Sequence, residues 1–284
     1  VNSGDIRIRG LVLPRGFGPF GRLIFGIRGP RRPILGTELA GEVDALGSGV
    51  TRFQVGDRVF AFPGMAMGCH AEFRCVKAHG AIAPLPPNLS FEEGAALCFA
   101  GTTALHFLRR AELREGERVL VNGAAGAVGL ALVQLARLQG AEVTAVCRTR
   151  NADLVRAHGA SRTLDPSVED FATLGETWDV IADPAGTAPI QRVRRALPAG
   201  GRLLAIAADL PAMLAAPWQS TVSGCKVIAG PAQERPEDVA ALGRLAAEGR
   251  YRPWVDRVFP FEQIPQAHAF TEAGGKRGSV GVRL

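Results

Sequence analysis

The sequence predicts an α/β chain, a doubly wound parallel sheet accompanied by a second, β-rich domain. Three observations carry this. From Gly101 onward, strand-like runs alternate with helical patterns: 119–121 then 127–139, 142–147 then 151–158, 179–182 then 187–196, with further strands at 202–207 and 226–229. Strand–helix–strand units of about 25–30 residues build parallel sheets. The first third instead holds short apolar runs broken by Gly and Pro, at 34–50, 53–62 and 71–85, the texture of a β-rich domain. After residue 232 one helical pattern (237–248) gives way to short strands at 255–261 and 279–284, which return the tail to the first domain. The expected division is therefore 1–100 with 233–284 in one domain and 101–232 in the other. A chain of 284 residues is better served by two cores than by one.

Composition narrows the function. Apolar residues make up 47% and charged residues 21%, a soluble globular balance. Apolar runs break at Gly, Pro or Arg before reaching the length of a membrane span, and residues 1–10, VNSGDIRIRG, lack the apolar centre of a signal peptide. The five cysteines, at 69, 75, 98, 147 and 225, are odd in number and form no CxxC. They read as reduced thiols of a cytoplasmic protein rather than a disulfide framework or a structural zinc site. The net charge is +6, and residues 7–32 hold seven arginines (7, 9, 15, 22, 28, 31, 32) without an acid. These arginines sit among Pro, Gly and Phe, and no nucleic-acid motif follows. The expected partner is a phosphorylated small molecule, with no nucleic acid and no membrane.

Residues 119–129, VLVNGAAGAVG, show where such a molecule binds. A strand ends in a glycine-rich turn and a helix begins near Ala127. The first turn of that helix has N–H groups without intrahelical partners, and its dipole favours an anion. Gly126, between Ala125 and Ala127–Val128, lets a pyrophosphate approach the backbone, and Gly129 lets helix and strand pack closely. By itself the pattern is no more than a tight strand-to-helix turn. Inside an alternating α/β region it marks a dinucleotide site.

The next strand, AEVTAVC, runs into RTRN. An NAD site normally places Asp or Glu here for the ribose 2′-hydroxyl. Arg148, Thr149 and Arg150 stand there instead, and guanidinium groups pair with a 2′-phosphate. The reading is NADPH. The alternative for these residues is an exposed basic turn, with Asn151 capping the following helix and Asp153 complementing its dipole, and both readings can hold together. Asp183, Pro184 and Ala185 follow the fourth strand and Ala207–Ala208 the fifth, at carboxyl ends where ligands of open α/β sheets bind.

At this point the chain resembles the medium-chain dehydrogenase/reductase superfamily, in its zinc-free quinone oxidoreductase-like branch. The resemblance lies in PILGTELAGEVDALGSGVTRFQVGDRVF (33–60), LSFEEGAALCFAGTTALHFL (89–108), VLVNGAAGAVG, VTAVCRTRNADLVRAHGA and WDVIADPAG (178–186), in that order. It implies a Rossmann domain for NADPH set between two parts of a GroES-like catalytic domain, with the active site in the cleft. It also matches Thr103 of GTTA to a threonine contacting the nicotinamide end of the cofactor. The alternative for this stretch is a helix N-cap, which Thr102 would supply. Residues 1–10 resemble a run normally found a few tens of residues into the family's chain, so the opening strands of the catalytic domain are expected to be missing. Ser279 stands where the family often has Lys.

The resemblance also addresses metal. Zinc-dependent members carry GHE where this chain has GTE, with Thr37 before Glu38. Catalytic zinc needs three protein ligands and an open position. Of the remaining candidates, Cys69, His70, Glu72 and Cys75, the first two are adjacent and point to opposite faces of a strand. No metal is expected. Hydride transfer needs mainly placement in a dry cleft, and no catalytic acid or base is assigned. The substrate wall is sought at Asn2, in the loop 17–28 with Phe17, Phe20, Leu23 and Phe25, and at Phe62–Met67; ordinary loop packing would explain the same aromatics. Such apolar loops suit a flat electrophile such as a quinone or enone. The run KVIAG (226–230) reads as the final, edge strand of the sheet, and the resemblance implies a homodimer joined edge to edge through 222–230.

The leading function is an NADPH-dependent, metal-free reductase of quinones or α,β-unsaturated carbonyls. A zinc-independent alcohol or aldehyde oxidoreductase comes second, a non-catalytic NADPH-binding homologue third, and a basic nucleic-acid or membrane binder last.

Overall fold

The computed structural model describes residues 1–26 and 29–284. Arg28, one of the seven arginines noted above, lies outside the described residues, as does the side chain of Phe20. The chain divides into two compact units. One comprises Val1–Leu13, Gly18–Thr102 and Gln233–Leu284; the other comprises Pro14–Phe17 and Thr103–Ala232.

The first unit opens with α1 (Ser3–Gly10), capped by Asn2: its Oδ1 accepts the N–H groups of Gly4 and Asp5, and the Asp5 carboxylate accepts the Asn2 N–H in return. Helix α2 (Gly18–Phe25) follows. Strands β1 (Leu39–Glu42), β2 (Arg58–Ala61) and β3 (Ile82–Pro84) form an antiparallel sheet in that order. Phe53, Val59, Ala61 and Ile82 make its core. Of the run 71–85, only 82–84 joins a sheet. Helix α3 (Phe91–Ala96) starts at a Ser90/Glu93 capping box, and α4 (Cys98–Ala111) leads into the second unit.

That unit is a six-stranded parallel sheet. Its elements are β4 (Arg118–Asn122), α5 (Ala127–Leu138), β5 (Glu142–Val146), α6 (Ala152–Ala157), β6 (Arg162–Leu164), β7 (Val180–Ala182), α7 (Ile190–Val193), β8 (Arg202–Ala205), α8 (Leu210–Ser223) and β9 (Lys226–Ala229). The strand order β6-β5-β4-β7-β8-β9 places the reversal of winding at β4. Ligands of such sheets bind outside the carboxyl ends at this switch point. Val119, Leu120 and Val121 of β4 are wholly buried because helices cover both faces, which is why the strand reads as an unbroken apolar run. Leu120 aligns with Ile181, and Ile181 with Leu203, in one core that also holds Trp178. The remaining elements return to the first unit: α9 (Pro236–Ala247), β10 (Val255–Pro260), α10 (Ile264–Glu272) and β11 (Ser279–Arg283), with β10 and β11 parallel.

Two local expectations are corrected. Asn151 holds the cap position of α6, but its side chain makes no capping bond. A 3₁₀ turn at Thr149–Asn151 precedes the helix, so Asn151 is already turned (φ −108°, ψ 0°) and lacks the extended geometry of a cap. Nor does Thr102 cap a helix: α4 begins at Cys98, and the Thr102 hydroxyl donates back to the Cys98 carbonyl at 2.8 Å.

Candidate functional site

In the second unit the site is built on the turn after β4. Gly123 takes φ +88°, and the N–H groups of Gly123 and Ala124 both donate to the Val146 carbonyl at the end of β5, at 3.1 and 3.0 Å. A Cβ on Gly129 would lie 2.3 Å from the Gly123 carbonyl oxygen and 2.7 Å from Ala124 Cα, so α5 is seated directly on the turn. At Gly126 the nearest atom to such a Cβ would be 3.6 Å away, which leaves the backbone open. Gly126 is the extended N-cap residue of α5; Ala125 is buried, and Ala127 and Val128 begin the helix half-buried. An uncovered glycine ahead of a twelve-residue helix fits a pyrophosphate.

Around this turn the structure gathers the other carboxyl ends. Asp183 is buried and fully engaged. Its Oδ1 accepts Asn122 Nδ2 at 2.8 Å and the Gly186 N–H at 2.9 Å, and its Oδ2 accepts the Ala188 N–H at 2.7 Å. Asn122 Nδ2 also donates to Thr187 Oγ1 at 2.9 Å. The carboxylate thus shapes the loop 183–188 and fastens it to β4. A Cβ on Gly123 would meet Ala185 Cβ at 3.0 Å, and one on Gly186 would meet Ala207 Cβ at 3.2 Å. Gly123, Ala185, Gly186 and Ala207 are therefore neighbours at the ends of β4, β7 and β8. Thr103 is half-buried on α4.

Arg148, Thr149 and Arg150 are exposed beyond the end of β5. The sequence reading missed their neighbour. Asp165, just past β6, accepts both the N–H and the hydroxyl of Thr149 on Oδ2, each at 2.5 Å. Its Oδ1 accepts the N–H and hydroxyl of Ser167 at 2.9 and 2.6 Å. These bonds, from Ser167 and then Thr149, hold the carboxyl well below the usual range. A strand as short as β6 leaves little periodicity by which to place its end.

In the first unit a buried polar cluster surrounds Thr37. Asn2 Nδ2 donates to Thr37 Oγ1 at 2.7 Å and to Glu38 Oε1 at 3.3 Å. The other Glu38 oxygen accepts the Phe99 N–H at 2.7 Å, and burial raises the Glu38 pKa. Asp5 Oδ1 accepts the Gly36 N–H at 3.1 Å, while Asp5 Oδ2 lies 3.9 Å from His70 Nε2. Burial pulls the His70 pKa down to about 4, which keeps the ring neutral at physiological pH. The Gly64 N–H donates to the Thr37 carbonyl at 3.0 Å, which ties the loop after Phe62 to the same cluster. Glu234 Oε1 holds this loop through the Met65 N–H at 3.0 Å. Asn2 and the Phe62–Met67 loop are thus brought together at Thr37, with Phe62 buried. Phe25 is half-buried at the end of α2 and Leu23 is exposed.

The polar groups here are the Asn2 amide, the Thr37 hydroxyl, the Glu38 and Asp5 carboxylates and the His70 ring, and the amide, hydroxyl and carboxylates are bonded to one another or to the backbone. Burial pushes the nearby Cys69 thiol up to about 12. Among the described residues no three His, Cys, Asp or Glu side chains gather to hold a metal. Among the same residues no helix is long and apolar enough to cross a membrane.

Comparison with known proteins agrees with this layout. The alcohol dehydrogenase GroES-like domain family matches residues 1–87, and the zinc-binding dehydrogenase family matches residues 158–280. The quinone oxidoreductase of Lama guanicoe is 30% identical over 271 residues, covering 90% of this chain and 82% of that protein. The quinone oxidoreductase of Pseudomonas aeruginosa is 41% identical over 160 residues, 54% of this chain and 49% of the relative, so that match spans about half the relative's length. The solved structure of the Coxiella burnetii quinone oxidoreductase superposes with a TM-score of 0.83 at 27% identity, over all of this chain and 87% of that one. The chain belongs to the medium-chain dehydrogenase/reductase superfamily, in its quinone oxidoreductase-like branch of NAD(P)H-dependent oxidoreductases.

Proposed function

We propose that the chain reduces a quinone or an α,β-unsaturated carbonyl with NADPH and without a metal ion. The observation that carries the reading is the pair of exposed arginines, Arg148 and Arg150, at the end of β5 beside an open glycine turn. When bound, NADPH supplies a hydride. The backbone at Ala125–Val128 holds the pyrophosphate, Arg148 and Arg150 hold the 2′-phosphate from the turn that Thr149 fixes through Asp165, and Thr103, the Asp183 loop and Ala207 hold the nicotinamide half. Thr37, positioned by Asn2, offers its hydroxyl to the electrophile, and Phe25 and Phe62 an apolar wall. His70, neutral and half-buried, is not assigned as an acid. Purified protein is expected to reduce quinones or enones with NADPH and to leave simple alcohols unoxidised with NADP+; alcohol oxidation by NADP+ without quinone reduction by NADPH would overturn the assignment.

Arg150→Ala is expected to weaken NADPH binding by roughly 1–3 kcal/mol, the size of a hydrogen bond to a charged group, and to leave NADH binding nearly unchanged. Titration of both cofactors checks this. Metal analysis should find well under one zinc per chain, with turnover unaffected by chelator; stoichiometric zinc and chelator-sensitive activity would refute the reading of Thr37.

We also infer a homodimer and a cytoplasmic protein with free thiols. The strand edge at 222–230 is not bare. The Val227 N–H donates to Ser220 Oγ of α8 at 2.9 Å, and the Ala229 carbonyl accepts Arg110 at 2.9 Å. Edge-to-edge pairing would have to displace these bonds. The apolar surface beside the edge is α8, where Leu214, Trp218 and Val222, four residues apart, are 74%, 67% and 66% exposed. The helix, LPAMLAAPWQSTVS, holds no charged residue, so two copies meet there without like-charge repulsion although the protein is basic. Trp218→Glu is expected to yield a monomer by size-exclusion chromatography with light scattering. A wild-type monomer at micromolar concentration would refute the dimer, and a dimer indifferent to the substitution would refute this surface.

A further inference from the structure

The nucleotide end of the cofactor site contains a carboxylate that the site does not use. Asp165 stands just past β6, the strand beside β5, and it touches Thr149, the residue between the two arginines. An acid at the end of β5 accepts the ribose 2′-hydroxyl in NAD-dependent enzymes and repels a 2′-phosphate. A carboxylate has about four lone-pair sites. Here four donors fill them: the N–H and hydroxyl of Thr149 on Oδ2, and the N–H and hydroxyl of Ser167 on Oδ1.

We infer that Asp165 is a masked ribose acid, and that Thr149 and Ser167 determine cofactor selectivity by occupying it. With all its acceptor positions taken, the carboxylate has none left for a ribose hydroxyl. Its negative charge is turned toward the protein's own donors, and its hold on Thr149 sets the turn from which Arg148 and Arg150 project. The inference rests on the NADPH reading above. Its own content is that the hydroxyls of Thr149 and Ser167, not the arginines alone, separate NADPH from NADH.

The test is a pair of variants of the full chain, titrated with NADPH and with NADH by cofactor fluorescence. Thr149→Val with Ser167→Ala removes two of the four donors and leaves the carboxylate in place. The ratio of NADPH to NADH affinity is expected to fall by roughly tenfold, the effect of one hydrogen bond to a charged group, with NADH binding more tightly than in the parent. Adding Asp165→Asn should cancel the gain in NADH affinity. Thr149→Val alone, which preserves the backbone bond, is the milder variant and should shift the ratio in the same direction. If the double variant keeps the parental ratio while Arg150→Ala weakens NADPH alone, the arginine reading stands and the mask is refuted. A shift that persists after Asp165→Asn refutes it as well. Equal weakening of both cofactors by Arg150→Ala removes the NADPH reading and the inference with it.

Discussion

Gly129→Ala is expected to abolish dinucleotide binding and to destabilise the fold by on the order of 3 kcal/mol. The added methyl would sit 2.3 Å from the Gly123 carbonyl oxygen and 2.8 Å from the Ala124 carbonyl carbon. These are backbone atoms, so no side chain can swing away. Either α5 lifts off the turn or the turn leaves the end of β5, where Gly123 and Ala124 donate to Val146. Gly126→Ala is the informative comparison. Its methyl would meet no protein atom closer than 3.6 Å, so the fold should hold while the path of the pyrophosphate is obstructed. Thermal melting should separate the two variants, and cofactor titration should show both impaired. A Gly129→Ala protein that melts like the parent would contradict the packing described here.

The second large effect is expected at Asp183. Asp183→Ala removes the acceptor of three donors: Asn122 Nδ2, which keeps its bond to Thr187, the N–H of Gly186 on the exposed part of the loop, and the buried N–H of Ala188. An unpaired buried donor costs roughly 1–3 kcal/mol, and with only the Ala188 N–H left buried without a partner the total should be about 2–3 kcal/mol. Asp183→Asn, which keeps one accepting oxygen, should recover part of the loss. Urea denaturation measures both. Cofactor affinity should fall alongside, since the loop touches Gly123 and Ala207. A stable Asp183→Ala variant with unchanged cofactor binding would show that the loop holds its shape by other means.

The contrast between these residues shows what a sequence discloses. Gly126 and Gly129 were legible because the chemistry they serve requires small residues at fixed spacing, after a strand that is apolar on both faces. Asp183 was legible as a position at a strand end, but not as a knot, because its partner Asn122 lies 61 residues away in the chain. Distance along the chain also hid the link from Thr149 to Asp165, 16 residues apart, and that from Met65 to Glu234, 169 apart. Helix α8 escaped notice for another reason. With Pro217 inside it and apolar residues on both its buried and exposed faces, it lacks the periodicity that marks a helix. The NxxD pattern of residues 2–5 was matched to the family without revealing that it is a capping box, whose Asn2 then reaches Thr37.

The interrupted layout of the first unit sets an order of events during synthesis. Its segments before Thr103 leave the ribosome early, yet β10, α10 and β11 follow only after the whole of Thr103–Ala232 has been made. The parallel-sheet unit has its full chain in hand sooner, and domains fold as they emerge. Helix α3, which packs against β11, must wait for a strand made nearly 200 residues later. The parallel-sheet unit is therefore the first part of the molecule able to mature, and once Ala232 has cleared the ribosome it should fold while the first unit still lacks β10, α10 and β11.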